Sequence, residues 1–225
     1  MSKFGVILAG NGVYDGAEIH ESVLAMLSIK QHGGTYEIFA PNIYQHHVVD
    51  HITGKEMPEK RNVLVESARI ARGNIKDLKQ FNAKDFDALL IPGGFGAAKN
   101  LCNFAVKGSD CDVNPDVENA IKTMHKAGKP IGALCISPVI IAKVLENTNL
   151  TIGQDKVTAA AVETMGSSHV KANHGEVVVD EKNNVFTTPC YMLEADIEQI
   201  YIGTSNIVKM MLEKLKGMNE RMGDA

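Results

Sequence analysis

The sequence predicts an α/β protein, a three-layer arrangement in which a mostly parallel sheet is covered by helices on both faces. Three observations carry that prediction. Apolar runs of strand length, KFGVILAG, YEIFA and DALLIPGG, are each closed by Gly, Pro or Asn. The stretches between them are patterned as helices. A further buried run, Lys129 to Cys135, leads directly into another helix-like segment. Strand, helix and strand in alternation give βαβ units and a parallel sheet, which places any site at the carboxyl ends of the strands.

Taken in order, Glu18 to Gln31 sets Ile19, Val23, Met26, Leu27 and Ile29 close to helical spacing, and His32-Gly33-Gly34 supplies a stop. Asn62 to Ile75 is helix-like, with Val63, Ala68, Ile70 and Ala71 mostly on one side. Pro115 to Lys126 forms a helix stopped at Gly128, and Ser137 to Leu145 forms the one after the Lys129–Cys135 strand. Beyond Lys156 the short runs KVTAAAV, EVVVD and NNVFTT read as strands, with a hairpin turn at Glu181-Lys182-Asn183-Asn184. A final amphipathic helix runs from about Leu193 to Leu215, with Gly203 as a local irregularity and GMNERMGDA as a frayed end.

The length, 225 residues with 44% hydrophobic side chains, supports one domain over residues 1–225. A net charge of -4 with scattered Lys and Arg gives no reason to expect nucleic acid or an anionic membrane as partner. The apolar start MSKFGVILAG is too short for a signal segment or a membrane span. Cys102, Cys111, Cys135 and Cys190 show neither disulfide-scaffold density nor metal spacing. Free thiols in the cytoplasm are therefore expected.

In GALCISPVI, Cys135 stands between a buried strand and the first turn of the next helix, so it projects from a sharp turn at the sheet edge. Gly132 allows close backbone approach and Pro138 suits the first helical turn. Amides at the helix N-terminus are expected to lower the thiol pKa and make Cys135 a nucleophile. The glycines of Pro92-Gly93-Gly94-Phe95-Gly96 free backbone N–H groups that, with the amide of Ile136, form an oxyanion hole. Glu18 lies on the same edge, and Asn11, Gly12 and Tyr14 are expected to line the cleft beside it. AGNGVYDG lacks the third glycine of a dinucleotide fingerprint, Asp15 standing in its place.

With these motifs the chain resembles the superfamily of class I glutamine amidotransferases, PfpI-type proteases and the Parkinson-disease-associated deglycase. Within it, GVILAGNGVYDGAEIHESV, HITGKEM, RNVLVESARIARG, IPGGFGAAKN, MHKAGKPIGALCISP and VFTTPCYML resemble the ElbB family, the enhancing lycopene biosynthesis proteins, whose bacterial members are described as glyoxalases. The resemblance implies a flavodoxin-like, class I glutamine amidotransferase-like fold and a homodimer. It makes Cys135 the nucleophile, Glu18 the carboxylic acid beside its sulfur, and Gly94 with Ile136 the oxyanion donors. The activity it implies is a cofactor-independent glyoxalase taking a small dicarbonyl, methylglyoxal or glyoxal, to a 2-hydroxy acid. The alternative is a non-catalytic or redox-sensing relative linked to isoprenoid metabolism.

One departure stands out. Relatives pair the cysteine with a histidine, whereas Ile136 follows it here and Ala159, Ala160 and Ala161 occupy the other place where a histidine is expected. His169, His174 and Glu163 are the remaining candidates for a base. The cluster His46-His47-Val48-Val49-Asp50-His51 tempts a metal reading, but the β-branched pair argues against the helix that would align His47 with His51. No metal and no cofactor are expected.

Overall fold

The computed structural model describes residues 1–223. Nine strands are present among them: β1 (Lys3–Ile7), β2 (Thr35–Ala40), β3 (Lys76–Asp77), β4 (Ala88–Ile91), β5 (Ile131–Leu134), β6 (Asn149–Leu150), β7 (Ser168–His169), β8 (Val178–Asp180) and β9 (Val185–Thr188). The helices are α1 (Ile19–Gln31), α2 (Val63–Ile70), α3 (Phe104–Lys107), α4 (Pro115–Lys126), α5 (Pro138–Leu145), α6 (Lys156–Thr164) and α7 (Ile197–Gly223). Seven strands form one sheet in the order β3-β2-β1-β4-β5-β9-β8, while β6 and β7 pair separately. All pairings in the large sheet are parallel except β8 with β9.

From β1 the chain winds outward to β2 and β3, then returns to β4 and winds the other way. The reversal between β1 and β4 is the switch point at which α/β sheets open a crevice at their carboxyl edge. Strands β4 and β5 are buried along their whole length, as strands covered on both faces must be. Helix α7 packs on α1 and across β5 and β9, while α4 and α5 pack together on β5. Gly132 serves this layering: a Cβ there would lie 2.6 Å from Leu90 Cδ1 and 2.7 Å from Met211 Sδ.

Three elements differ from expectation. KVTAAAV belongs to α6 rather than to a strand, because Asp155 caps that helix by accepting from the Thr158 N–H at 2.7 Å and alanines favour helix. Helix α2 ends at Ile70, and Arg72 and Gly73 turn the chain with positive φ. Helix α7 starts at Ile197 and runs unbroken through Gly203 to Gly223, across most of the segment expected to fray. Asp224 and Ala225 lie outside the described residues. The expected hairpin does form between β8 and β9, over the turn Glu181–Asn184.

Helix α1 meets its amphipathic reading only in part, with Met26 and Ile29 buried. Ile19, Val23 and Leu27 are exposed, while Glu21, Ser22 and Ser28 are buried. The buried hydroxyls are satisfied locally: Ser22 donates to Glu18 O at 2.6 Å and Ser28 to Leu24 O at 2.7 Å.

Candidate active site

Cys135 follows β5 directly and its φ is +59°, the left-handed region that an L residue enters only under constraint. Two contacts hold it there. Its N–H donates to Thr188 O at 3.0 Å, and the next hydroxyl, Ser137 Oγ, donates to Pro92 O at 2.7 Å. Strained strand-to-helix turns of this kind push a nucleophile above the sheet edge. The N–H groups of Gly94 and Ile136 point at the sulfur.

Gly93 and Gly94 are required where they stand. A Cβ on Gly93 would meet Cys135 Cβ at 2.4 Å, and one on Gly94, whose φ is +94°, would meet the Glu18 N at 2.4 Å. This turn is stitched to the loop after β1, with Glu18 N–H donating to Gly93 O at 3.0 Å and Phe95 N–H to Val13 O at 2.8 Å. Two strand ends at the switch point thereby become one rigid floor.

The carboxyl set against the sulfur is that of Glu21, one helical turn beyond Glu18. Both Glu21 Oε2 and Cys135 Sγ converge on Gly93, 2.8 and 3.0 Å from the position a Cβ there would take. Glu18 Oε2 instead accepts from the Glu21 N–H at 2.7 Å, which makes Glu18 the N-cap of α1. Glu21 is fully buried, accepts from the Gly93 N–H at 2.8 Å and from the Tyr191 N–H at 3.3 Å, and contacts the thiol. Burial, and then the Glu18 charge, push its pKa up to about 8.

Cys135 itself is 6% exposed. Its thiol is pushed well above the usual range by burial and by the Glu21 charge, against the opposing pull of the Gly94 and Ile136 N–H groups. That reverses the expected depression, because the desolvation of a sulfur beneath this floor outweighs two amide dipoles. The site therefore holds its protons at neutral pH. Glu21 was signalled in the sequence by the pair Glu18-x-x-Glu21. In such a pair the third-position carboxyl ordinarily reaches back to the N-cap N–H, but the Glu18 N–H donates to Gly93 O here and Glu21 accepts from Gly93 and Tyr191 instead.

A cleft of about 420 Å³ opens above the sulfur, lined by Glu18, Gly94 and Ile136 among others. Of the loop after β1, Val13 and Glu18 reach it. Asn11, Gly12 and Tyr14, expected there, do not line it, because the loop closes on itself through Gly12 N–H to Ala17 O at 2.9 Å and Gly16 N–H to Gly12 O at 2.7 Å. Tyr14 turns outward onto His51, with ring centroids 4.8 Å apart.

No histidine lines the cleft among the described residues. His174 is exposed, and His169 is half-buried in β7 with its Nε2 unpaired. Glu163 is exposed on α6. His51 approaches Asp15, His47 approaches Glu56, each at 3.9 Å, and the His46 ring lies tilted against His47, centroids 4.1 Å apart. Cys190 is buried near Cys135 and Glu21, whose charges add to burial in raising its pKa. Cys102 and Cys111 form a thiol pair away from the cleft floor; the Cys102 Sγ donates to Ala97 O at 3.4 Å, and the neighbouring thiol brings Cys111 down to about 7.

A family model described as the DJ-1/PfpI family matches residues 74–192, which contain the glycine turn, Cys135 and Tyr191. The human protein named glutamine amidotransferase-like class 1 domain-containing protein 3, mitochondrial, is 45% identical over 222 residues, covering 94% of this chain and 83% of the human one. The chain belongs to the DJ-1/PfpI family. A Danio rerio relative, ES1 protein, mitochondrial, is 36% identical and covers 94% of this chain and 85% of its own length.

Among solved structures, an isoprenoid biosynthesis protein with amidotransferase-like domain from Ehrlichia chaffeensis superposes with a TM-score of 0.88 at 38% identity, covering 94% of this chain and 99% of that one. The parallel sheet flanked by helices is thus the family's flavodoxin-like, class I glutamine amidotransferase-like fold. The expectation of a cytoplasmic protein is corrected. Relatives named as mitochondrial point away from a purely cytoplasmic location. Unpaired cysteines indicate reducing surroundings and do not tell one reducing compartment from another.

Proposed function

We propose that the protein is a cofactor-independent glyoxalase of the ElbB type, converting 2-oxoaldehydes to 2-hydroxy acids through a thiohemiacetal on Cys135. The observation that carries this reading is the Cys135 sulfur at a cleft lined by Glu18 and by no histidine, with two inward N–H groups and the buried Glu21 carboxyl set against the sulfur. Glutamine and peptide hydrolysis need an acid for a departing amine. Isomerisation of a dicarbonyl needs only a nucleophile, an oxyanion site and one group that takes and returns a proton.

The Cys135 sulfur bonds to the aldehyde carbon, the carbonyl electron pair moves to oxygen beneath the Gly94 and Ile136 N–H groups, and the thiol proton ends on that oxygen. Glu21, as carboxylate, removes the hydrogen of the former aldehyde carbon and returns it to the neighbouring carbonyl carbon, while the proton on the first oxygen passes to the second, so that the first becomes the thioester carbonyl and the second the new hydroxyl. The resulting thioester is hydrolysed by water, releasing the 2-hydroxy acid and the thiol. Glu18, originally expected in the shuttle role, here caps α1 and lends the charge that helps to raise Glu21.

The rival reading, an exposed low-pKa thiol that signals by oxidation, finds less support in a sulfur that is 6% exposed and pushed upward. The test is lactate formation from methylglyoxal without glutathione. Turnover abolished by Cys135→Ala supports the reading, and no turnover by the unmodified protein overturns it. We further propose a homodimer, with the exposed row Ile19, Val23 and Leu27 on α1 supporting that face as the contact.

A further inference from the structure

The cleft above Cys135 is far larger than the smallest dicarbonyls require. Its volume of about 420 Å³ corresponds to roughly 14 water volumes of about 30 Å³ each. It falls in the range, about 300–1,000 Å³, of pockets that enclose sizeable organic ligands. A three-carbon substrate would leave most of it filled with water.

Its walls are mainly apolar. Val13, Phe95, Ala98, Phe104, Ile136 and Met192 line it, with Phe95 half exposed towards the opening. The charged side chains that line it are both carboxylates, Glu18 and Asp155, the latter held ionised by its bonds to Thr158. Two lysines adjoin lining residues in sequence: Lys99, whose Nζ donates to Tyr14 O at 2.8 Å and lies 5.2 Å from the Phe95 ring centroid, and Lys156, which is exposed in the first turn of α6; neither lines the cleft. No cationic side chain lines the cleft to offset the charge of a phosphate or a carboxylate.

Building on the glyoxalase reading, we propose that the substrates this cleft selects are uncharged 2-oxoaldehydes with an apolar arm of phenyl size or longer. The carbonyl pair sits over Cys135 and the arm lies along Phe95, Phe104 and Met192. Bond making is unchanged from the small substrates. What changes is that burial of the arm adds binding energy which methylglyoxal cannot supply, and the two carboxylates repel anionic substrates.

The first measurement is kcat/KM for methylglyoxal, straight-chain 2-oxoaldehydes of increasing length, phenylglyoxal, and a chain of matched length ending in a carboxylate. Each methylene is expected to raise kcat/KM about fourfold until the cleft is filled, from about 0.8 kcal/mol per buried CH₂. Phenylglyoxal should exceed methylglyoxal about tenfold or more, and the carboxylate-ended chain should fall below its neutral counterpart. Phe104→Ala should reduce the phenylglyoxal-to-methylglyoxal ratio about tenfold.

The second measurement needs no turnover. N-benzyl iodoacetamide and iodoacetamide are compared for their alkylation rate at Cys135, located by mass spectrometry and normalised to their rates with free cysteine. If 2-oxoaldehydes are turned over but kcat/KM is flat or falls with arm length, the arm-binding inference is overturned while the glyoxalase reading stands. If no 2-oxoaldehyde is turned over, the labelling ratio decides. A benzyl reagent at least fivefold faster supports the apolar cleft although the glyoxalase reading has failed, and a ratio near one overturns both.

Discussion

Glu21 offers a direct test of the site, because burying a carboxyl without a cation leaves a signature in stability as well as in activity. Its pKa is about 8 in the folded chain against 4.5 for the unperturbed group. The folded state therefore holds this proton more tightly than the unfolded state does. Below pH 4.5 both states carry it and nothing is lost. Between 4.5 and 8 the unfolded chain releases the proton while the folded chain keeps it, so stability falls as pH rises, levelling off above 8. A shift of about 3.5 units at 1.36 kcal/mol each is on the order of 5 kcal/mol in full, of which about 4 is lost between pH 5 and 9. Against a typical folding stability of about 5–15 kcal/mol that is a large share.

Glu21→Gln removes the titration while keeping the shape. The amide oxygen can still accept from Gly93, but its NH₂ then faces the Tyr191 N–H, a donor against a donor, costing about 1–3 kcal/mol at every pH. The discriminating quantity is consequently the slope and not the offset. Urea unfolding of both proteins at intervals from pH 5 to 9 should show the unmodified protein losing about 4 kcal/mol more than the variant. Parallel curves would refute the assignment of Glu21 as a buried, proton-holding carboxyl, whatever the variant's absolute stability.

Four further outcomes are expected. In lactate formation from methylglyoxal, Glu21→Gln should lose about 10²-fold or more, and kcat of the unmodified protein should climb with pH towards about 8, since the carboxylate is the form that abstracts the proton; a pH-independent kcat between 6 and 8 would remove Glu21 from that role. Glu18→Ala should lower stability by about 0.5–2 kcal/mol through loss of the α1 cap, read by urea titration, with a smaller effect on turnover than Glu21→Gln. Gly93→Ala should abolish turnover and slow alkylation of Cys135, because the new methyl group occupies the meeting point of sulfur and carboxyl; wild-type rates would contradict the packing. Val23→Glu should yield a monomer by light scattering if α1 carries the dimer contact, and an unchanged mass would place the contact elsewhere.

Much of this was already legible in the order of residues. Alternation of β-sized runs with helical ones depends only on short-range pattern, and a parallel sheet follows because strands covered on both faces are continuously apolar, as β4 and β5 are. The elbow at Cys135 was readable for the same local reason: a strand, a short polar break and a proline-led helix leave one residue at the turn. The glycines at 93 and 94 also declared themselves, since their need for space and for positive φ is a property of the turn.

What the chain order alone did not decide was which of two carboxylates, one helical turn apart, faces the sulfur. Helix α1 reads as amphipathic with Ile19, Val23, Met26, Leu27 and Ile29 inward; Met26 and Ile29 are buried, yet the fold also turns Glu21, Ser22 and Ser28 in and leaves Ile19, Val23 and Leu27 outside. Local periodicity ranks faces by hydrophobicity, whereas the folded protein ranks them by what waits on the other side. Here the Gly93 and Tyr191 N–H groups wait there to satisfy a buried carboxyl. The thiol pKa was decided in the same way. A helix N-terminus is visible in sequence, but the depth of the sulfur beneath loops from three strand ends is not, and desolvation at that depth outweighs the dipole.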